Sequence, residues 1–340
     1  MNTDHDERDP AAAIAEIQKG RSLICKLAIF GSYVTLALFL FAQLGRWFFL
    51  AELLGNFRIQ MFALTLFAGV VSLLVAQKWL GRILLFVTAW NATLLGVIFW
   101  PATQPPAGPE SLKIMSFNVL AAANDYETVV QRVNEVSPDV VTIIEYDHNW
   151  YHALDGLNET YPHQLLDPRW HGFGIAIFSR LPLKNPRTHQ LINEVTDAPM
   201  IVAEVDVGTR SLRIASIHVL SPTSRKRMDL RNRQFEEIAE ILNQDSIPTI
   251  VLGDFNCTPW SPFLNDFVQA TGYRDSRQGF GIQPTWHREY WPSMIPIDNA
   301  FVSEQVHIHS RHVNEGSMSD HFPIVLEVSI SDETIQQQNE

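Results

Sequence analysis

The segment Thr249–Pro262, with the sequence TIVLGDFNCTPWSP, joins a run of apolar residues to two polar side chains. The run Ile250–Leu252 predicts a buried strand that breaks at Gly253, after which Asp254 and Asn256 precede a proline-rich turn. Because residues i and i+2 of an extended chain face the same side, the two polar side chains are expected to point into one pocket. The segment therefore predicts a strand whose end contributes to a site.

Other predicted strands also end in polar residues. These residues are Asn118, Glu145, His218, Asp298, Asp320 and His321. Taken singly, an Asn after a strand is most often a turn residue, and a His near a strand is most often structural. Glu145 fits that explanation poorly, because it follows the apolar run VVTII, where an unpaired charge is costly. Since strand ends at one edge of a sheet commonly assemble a site, we expect these side chains to lie together.

Strand and helix patterns alternate from Ser111 onward. Leu112–Leu120 and Pro138–Glu145 have strand patterns, and the second is apolar enough for a strand buried on both faces. Tyr126–Val136 and Ser224–Leu242 have apolar residues at helical spacing. This mixture predicts an α/β or α+β sandwich in which helices cover the sheets.

Three long apolar stretches precede this part of the chain: Leu23–Leu44, Ile59–Gln77 and Ile83–Trp100. Each is about the length that a helix needs to cross a bilayer. A cleavable signal peptide would account for the first stretch only, and a buried helical core would rarely contain three such runs with short connections. We therefore expect residues 23–100 to form a membrane anchor with three transmembrane helices.

Basic residues near the ends of these stretches predict the orientation of the anchor. They are denser before the first stretch and between the second and the third. This bias places a tail of residues 1–22 in the cytoplasm and the large domain, residues 111–330, outside it. Residues 101–110, PATQPPAGPE, are expected to form a stiff linker, and residues 331–340 a polar tail.

The composition of the large domain argues against a general nucleic-acid binder. After residue 107, the 340-residue chain has 17 Lys and Arg against 31 Asp and Glu. Such an acidic domain repels polyanions unless metal ions or a local basic patch intervene. One basic cluster stands at the start of the second predicted helix and contains Arg225, Lys226, Arg227, Arg231 and Arg233. It predicts either a solvated helix face or a patch for phosphates or anionic lipid headgroups.

The residues at the strand ends are rich in carboxylate and amide oxygens. Oxygen ligands of this kind favour Mg²⁺ or Mn²⁺ over zinc. The sequence contains no Cys/His cluster at zinc spacing, no HExxH motif and no P-loop motif. The strand ends therefore predict a divalent-metal site built mainly from oxygen.

A set of motifs in this chain resembles the endonuclease/exonuclease/phosphatase superfamily, which has the DNase I-like fold. The motifs are SFNVL, PDVVTIIE, GIAIFSR, SIHVLSP, GDFNCTPWSP, PTWHREY…PIDNAFVS and SDHFPIVLEV, and they lie between Leu112 and Ile330. The resemblance implies a four-layer α/β (α+β) sandwich of two mixed β-sheets flanked by helices, preceded here by three transmembrane helices. With its anchor, the chain is similar to bacterial membrane-bound members, which implies a multi-pass protein of the inner membrane. One difference is Asn299, because such proteins often carry His after the Asp of the ID motif.

The resemblance also implies hydrolysis of a phosphate ester with a divalent metal, Mg²⁺ or Mn²⁺. It assigns the metal to Glu145, helped by Asn118 and Asp320. It assigns catalysis to His218, Asp254, Asn256, Asp298 and His321. Either Asp254 or His321 would be the base for the attacking water, and Asp298 would hold the other nitrogen of His321. Asn256 and His218 would bind the phosphate, and His218 could protonate the leaving group.

The sequence alone does not decide which phosphate ester is the substrate. The chain fits a nuclease-like phosphodiesterase, but also a phospholipase C-like or phosphomonoester hydrolase of inositol phosphate type. A catalytically silent membrane sensor with the same fold is a further alternative. The expected partners are the lipid bilayer and a phosphate ester, which would be a nucleic acid, a lipid headgroup or a soluble compound. No protein partner is expected.

Overall fold

The computed structural model describes residues 10–100, 110–192, 197–315 and 318–331. The predicted linker and polar tail lie outside the described residues, except for Glu110 and Ser331, as does the start of the predicted cytoplasmic tail. The helices are α1 (Pro10–Ala42), α2 (Phe49–Gly55), α3 (Arg58–Leu74), α4 (Lys78–Gly96), α5 (Tyr126–Val136), α6 (His148–Ala153), α7 (Arg225–Leu242) and α8 (Pro262–Thr271). The strands are β1 (Leu112–Asn118), β2 (Val140–Ile144), β3 (His163–Asp167), β4 (Ile175–Ser179), β5 (Lys184–Gln190), β6 (Pro199–Val207), β7 (Arg210–His218), β8 (Thr249–Asp254), β9 (Arg274–Asp275), β10 (Asp298–Val302), β11 (Val306–Val313) and β12 (Ile324–Ile330).

The strands form two six-stranded sheets with the same internal plan. The first has the order β11-β12-β1-β2-β4-β3, and the second has the order β5-β6-β7-β8-β10-β9. In each sheet the central pair is parallel, β1 with β2 and β7 with β8, and the flanking pairs are antiparallel. A helix lies in each parallel connection, α5 in the first sheet and α7 in the second. Both sheets are therefore mixed, as expected.

The two sheets pack face to face, and helices cover their outer faces. Ile114 of β1 and Val140 of β2 share one buried cluster with Ile250 and Leu252 of β8, which closes the space between the sheets. A second cluster lies between the first sheet and α5, and a third lies between the second sheet and the helices α7 and α8. The order of layers is therefore helix, sheet, sheet, helix.

Strand β8 shows why the run at Thr249–Pro262 is continuously apolar. Ile250 and Leu252 face the other sheet, whereas Val251 packs in the cluster that contains Phe235 of α7. Both faces of the strand are buried, so neither tolerates a polar side chain. The first polar side chain after this run, Asp254, stands at the end of the strand.

The parallel strands bring their carboxyl ends together. In the first sheet β1 ends at Asn118, and Glu145 directly follows the last residue of β2. In the second sheet His218 at the end of β7 pairs with Asp254 at the end of β8. Asp298 begins the antiparallel strand β10 and pairs with Asp254 from the other side. The predicted polar residues therefore collect where the central strands end.

The prediction of three transmembrane helices is met in part. Two helices among the described residues are long and apolar enough to cross a bilayer: Gln18–Ala42 with a mean hydropathy of 2.0, and Lys78–Phe99 with 1.7. The second predicted span corresponds to α3, which has only 17 residues and follows α2 across a bend of 80°. The two helices make a third candidate if they count as one span. Large apolar side chains such as Phe67 and Phe86 are exposed on this helical part.

Candidate active site

Asn118 connects the two sheets at the centre of the site. Its Nδ2 donates to Oε1 of Glu145 and to Oδ2 of Asp254, both at 3.1 Å, and lies 3.5 Å from Nε2 of His321. Its Oδ1 accepts from the backbone N–H of Leu120 at 3.1 Å. An amide group with two hydrogens can satisfy the two carboxylates at once. The buried Asn118 side chain therefore fixes the distance between one carboxylate of each sheet.

Glu145 is held in a defined orientation by the chain around it. Its backbone has a φ of 64°, a left-handed conformation that non-glycine residues rarely adopt. Its Oε2 accepts from the backbone N–H of Ala121 at 2.9 Å. On the other side lies Gly172, where an added Cβ would come within 3.2 Å of Oε2. The unusual backbone and the tight surroundings are features that often mark functional residues.

Asp298 and His321 form a buried pair. Nδ1 of His321 donates to Oδ2 of Asp298 at 2.8 Å. This bond turns the other ring nitrogen, Nε2, toward Asp254, whose Oδ2 is 3.8 Å away. Burial by itself lowers the pKa of His321, but the charge and hydrogen bond of Asp298 outweigh it and raise the pKa to about 10. The imidazole is therefore a cation at neutral pH.

Asp254 lies between the two sheets and is almost completely buried. Its Oδ1 accepts from the backbone N–H of Asn256 at 2.8 Å, and its Oδ2 accepts from Asn118. Burial raises the pKa of Asp254 to about 6, and the nearby charge of Asp298 adds to this, while His321 opposes it. A carboxyl group with such a pKa can take up and release protons near neutral pH.

His218 and Asn256 flank Asp254. Nδ1 of His218 donates to the carbonyl of Gly172 at 2.9 Å, and its Nε2 is 3.7 Å from Oδ2 of Asp254. Its ring stacks on Phe173 with 5.4 Å between centroids. Asn256 has a φ of 49° and donates its side-chain Nδ2 to the carbonyl of Val219 at 2.9 Å.

Asp320 stands at the rim of the site. Its Oδ2 accepts from the indole Nε1 of Trp286 at 2.8 Å. Its Oδ1 is buried, lies 3.9 Å from Nε2 of His321, and has no hydrogen-bond partner among the described residues. A buried carboxylate oxygen without a partner calls for an explanation, and a bound cation would supply one.

Three of the site residues form a group that could hold a metal ion. Asp254, Asp298 and His321 are all buried, and each offers one ligand atom within 4.8 Å of the others. This group differs from the predicted ligands Glu145 and Asp320, although all these residues stand around the same point of the fold. The site therefore offers two neighbouring sets of donors for a divalent ion, with no residue in common.

The structure brings the predicted site residues together by hydrogen bonds and close ionic contacts, except that Asn256 meets Asp254 only through its backbone N–H, because its left-handed backbone turns the side chain to the carbonyl of Val219. Asn299 is the residue that differs from the superfamily pattern, which often has His at this position. Its Oδ1 lies 3.3 Å from Nη2 of Arg311. Because alternate residues of a strand face opposite sides, Asn299 faces away from the side that Asp298 presents.

The supporting residues were not predicted. Trp286, which orients Asp320, lies within the quoted PTWHREY motif and could have been suspected on that ground. Gly172 acts through its backbone carbonyl and its lack of a side chain, which leave no signal in a single sequence. Arg231 belongs to the basic cluster but is fully buried, so the cluster is not one continuous exposed patch.

The geometry agrees with the comparisons with known proteins. A family model described as Endonuclease/Exonuclease/phosphatase family matches residues 115–321. The chain belongs to this family. Its members are hydrolases that act on phosphate ester bonds and use a divalent metal, and the protein is accordingly an enzyme of this class.

Solved structures of low sequence identity share the fold. D. rerio TDP2 complexed with a single-strand DNA product has a TM-score of 0.55 and 16% identity, covering 64% of this chain and 99% of that chain. The human Nocturnin catalytic domain with a bound sulfate has a TM-score of 0.53 and 18% identity, covering 67% of this chain and 97% of that chain. A Bacteroides thetaiotaomicron protein of the same family has a TM-score of 0.54 and 19% identity, covering 66% of this chain and 100% of that chain. No curated protein matches the sequence.

Proposed function

We propose that the protein is a membrane-anchored phosphoesterase that hydrolyses a phosphodiester of nuclease type with the help of a divalent metal. The observation that carries this proposal is the position of Asn118, whose amide bridges Glu145 and Asp254 beside the pair His321–Asp298. Within one site, these groups supply carboxylates to hold a metal ion, a base to take a proton from water, and the charged imidazole of His321 to bind phosphate. A silent relative would be expected to have lost at least one of them.

The donor set suits Mg²⁺ or Mn²⁺. Glu145 and Asp320 would hold the ion through carboxylate oxygens, and Asn118 stands beside them. The buried Oδ1 of Asp320, which has no hydrogen-bond partner among the described residues, supports this assignment. When bound, the ion would polarise a phosphoryl oxygen and stabilise the charge on the leaving oxygen.

The protonation states favour Asp254 as the base. Its pKa of about 6 leaves it ionised above that pH, and it can then accept a proton from the attacking water. His321, with a pKa raised to about 10, would already carry its proton and would bind a non-bridging phosphate oxygen through Nε2. Asp298 keeps the ring oriented and charged.

The remaining polar groups complete the reaction. Water attacks phosphorus as its proton passes to Asp254, and the bond from phosphorus to the leaving oxygen breaks. Nε2 of His218 lies 3.7 Å from Oδ2 of Asp254, the oxygen that also accepts from Asn118, and a proton on this nitrogen would pass to the leaving oxygen. Asn256, next to the base, would hydrogen-bond a phosphate oxygen.

A second candidate substrate is a phosphoester in the membrane itself. The segment that follows Trp286 contains Tyr290, whose side chain is 61% exposed. Gln60, at the start of α3, donates to the carbonyls of Pro292 and Met294 at 3.1 Å each. One rim of the site therefore lies against the helical anchor, where a lipid headgroup would be within reach. Exposed aromatic side chains favour such an interface.

The anchor is proposed to span the inner membrane three times, through α1, α3 and α4, with α2 in the loop between the first two spans. The denser basic residues before the first span and between the second and third support a cytoplasmic N-terminus and a catalytic domain, residues 111–330, outside the cytoplasm. A reporter enzyme that works only outside the cytoplasm, fused after Glu340, should be active. Activity of a cytoplasm-only reporter at that position would reverse the orientation.

The catalytic proposal is tested with the full chain purified in detergent and returned to vesicles. Single-stranded and duplex DNA, RNA, inositol phosphates and phospholipid vesicles are supplied with Mg²⁺, Mn²⁺ or EDTA. We expect Mg²⁺-dependent hydrolysis of a nucleic acid, or of the phospholipid if the second candidate holds, and its loss in Glu145→Ala. If no substrate in the panel is hydrolysed with either ion, the proposed function is wrong.

A further inference from the structure

Helix α2 places a carboxylate inside the catalytic domain. Glu52 lies between the first two apolar segments of the anchor, yet its side chain is fully buried. Its Oε1 is 3.0 Å from Nη2 of Arg231 on α7, whose side chain is also fully buried. These residues are 179 positions apart in the chain, so the contact joins the anchor to the domain.

The same helix holds the loop that follows β8. Ser261 donates its hydroxyl to Oε1 of Glu52 at 3.0 Å. Asn56, just after α2, accepts with its Oδ1 from both the backbone N–H and the hydroxyl of Thr258, each at 2.9 Å. Thr258 and Ser261 belong to the Thr249–Pro262 segment that also carries the base. The anchor is therefore bonded to this loop at two points.

Arg231 links Glu52 to the turn that carries the catalytic Asp254. Its Nη1 donates to the backbone carbonyl of Asn256 at 3.4 Å. The backbone N–H of Asn256 donates in turn to Oδ1 of Asp254, and Asn256 is in a left-handed conformation with a φ of 49°. A short chain of bonds therefore runs from Glu52 through Arg231 and Asn256 to the base.

A need for stability does not account for this arrangement. A buried ion pair is often no more stabilising than apolar residues of the same size, because both charges lose their hydration. The exposed ion pair between Arg46 and Asp266, at 2.8 Å, also ties the anchor to the domain, through α8, without touching the loop after β8. Docking therefore does not require a buried charge that reaches the backbone of Asn256.

We propose that Glu52 and Arg231 are positioning residues of the active site, so that the anchor segment α2 sets the geometry of the turn Asp254–Asn256. The inference rests on the proposed function for its effect on catalysis. It makes α2 a working part of the enzyme as well as a membrane attachment. In the absence of this contact, the turn would lose its fixed orientation, and small displacements of catalytic groups cost large factors in rate.

The test uses the full chain with the double variant Glu52→Gln, Arg231→Met. This variant leaves no buried charge unpaired, so it should fold, but it breaks the bond to Asn256. We expect kcat to fall on the order of 10- to 100-fold while KM changes less than about threefold, because the lost contact acts on the base. Arg46→Ala, which removes the exposed ion pair, is the matched control and should keep kcat. A folded double variant with normal kcat would overturn the proposal.

A second measurement is independent of catalytic activity. In hydrogen–deuterium exchange, the amides of the turn Asp254–Asn256 should exchange at least about tenfold faster in the double variant than in Arg46→Ala or the unmodified protein, since the bond from Arg231 to the carbonyl of Asn256 is gone. Unchanged exchange in this turn would also overturn the proposal. If the unmodified protein hydrolyses nothing, the proposed function fails, while the exchange experiment still decides whether α2 orders the loop.

Discussion

The side-chain amide of Asn118 lies 3.1 Å from a carboxylate oxygen of Asp254, and this hydrogen bond joins the central strand of one sheet to the central strand of the other. The same nitrogen is 3.1 Å from Glu145. Two carboxylates that would repel each other are thus held on one neutral donor. The distance between the catalytic carboxylates depends on how the two sheets pack, and Asn118 makes the hydrogen bond that links the sheets at this point.

Replacing Asn118 should therefore disable the site without unfolding the domain. In Asn118→Ala we expect kcat to fall on the order of 100-fold, because Glu145 and Asp254 lose their shared donor. In Asn118→Asp the loss should be larger, because a third carboxylate would face the other two. Steady-state kinetics with circular dichroism as a check on folding measure both effects. Asn134→Ala, on the exposed face of α5, is the control and should behave as the unmodified protein.

Activity should depend on the ionisation of Asp254. Burial and the charge of Asp298 raise the pKa of Asp254 to about 6, against the opposing effect of His321 and His218. The base form exists above this pKa, so kcat/KM should fall about tenfold per pH unit as the pH drops below roughly 6. A pH–rate profile of the metal-loaded enzyme measures the effect. An acidic limb near the ordinary pKa of an aspartate, about 4, would contradict Asp254 as the base.

The charge of His321 should depend on Asp298. With Asp298 in place the pKa of His321 is raised to about 10, so the imidazolium persists through neutral pH and is lost above that value. In Asp298→Asn the pKa of His321 should drop toward the ordinary value of about 6.5, because only the charges of Asp254 and Asp320 then oppose the effect of burial, and the alkaline limb of kcat/KM should move down with it. NMR titration of the histidine ring protons follows the same change. An alkaline limb that stays in place would show that His321 does not act as a cation.

The two central strands could be predicted from the sequence because burial on both faces leaves a simple pattern. The runs that end at Glu145 and Asp254 are apolar apart from Thr142, since one face of each strand packs on the other sheet and one on helices. The polar residues that interrupt these runs could be identified as site candidates because a charge after such a run needs a partner. The motif order then supplied the fold, which the structure and the family match bear out.

The contacts between the anchor and the domain could not be predicted in this way. Arg231 stands in a row of basic residues, so its sequence context favours an exposed position, and its burial follows only from the approach of α2. Glu52 is a lone carboxylate in an apolar segment, which indicates a need for a partner, but that partner is distant in the chain and cannot be identified from the sequence. The second predicted span, Ile59–Gln77, corresponds to α3, but the short helix α2 before it and the bend of 80° between the two were not predicted. These features depend on tertiary packing.

The most direct test of the central claim is hydrolysis of a phosphodiester by the full chain with and without metal. We expect turnover with Mg²⁺, none with EDTA, and recovery when Mg²⁺ is restored, because the carboxylates at the strand ends are proposed to hold the ion. Glu145→Gln should lower kcat on the order of 100-fold or more and raise the Mg²⁺ concentration needed for half-maximal rate, while Glu127→Gln on the exposed face of α5 should change neither. Equal turnover in EDTA, or a Glu145→Gln enzyme with normal rate and metal dependence, would contradict it.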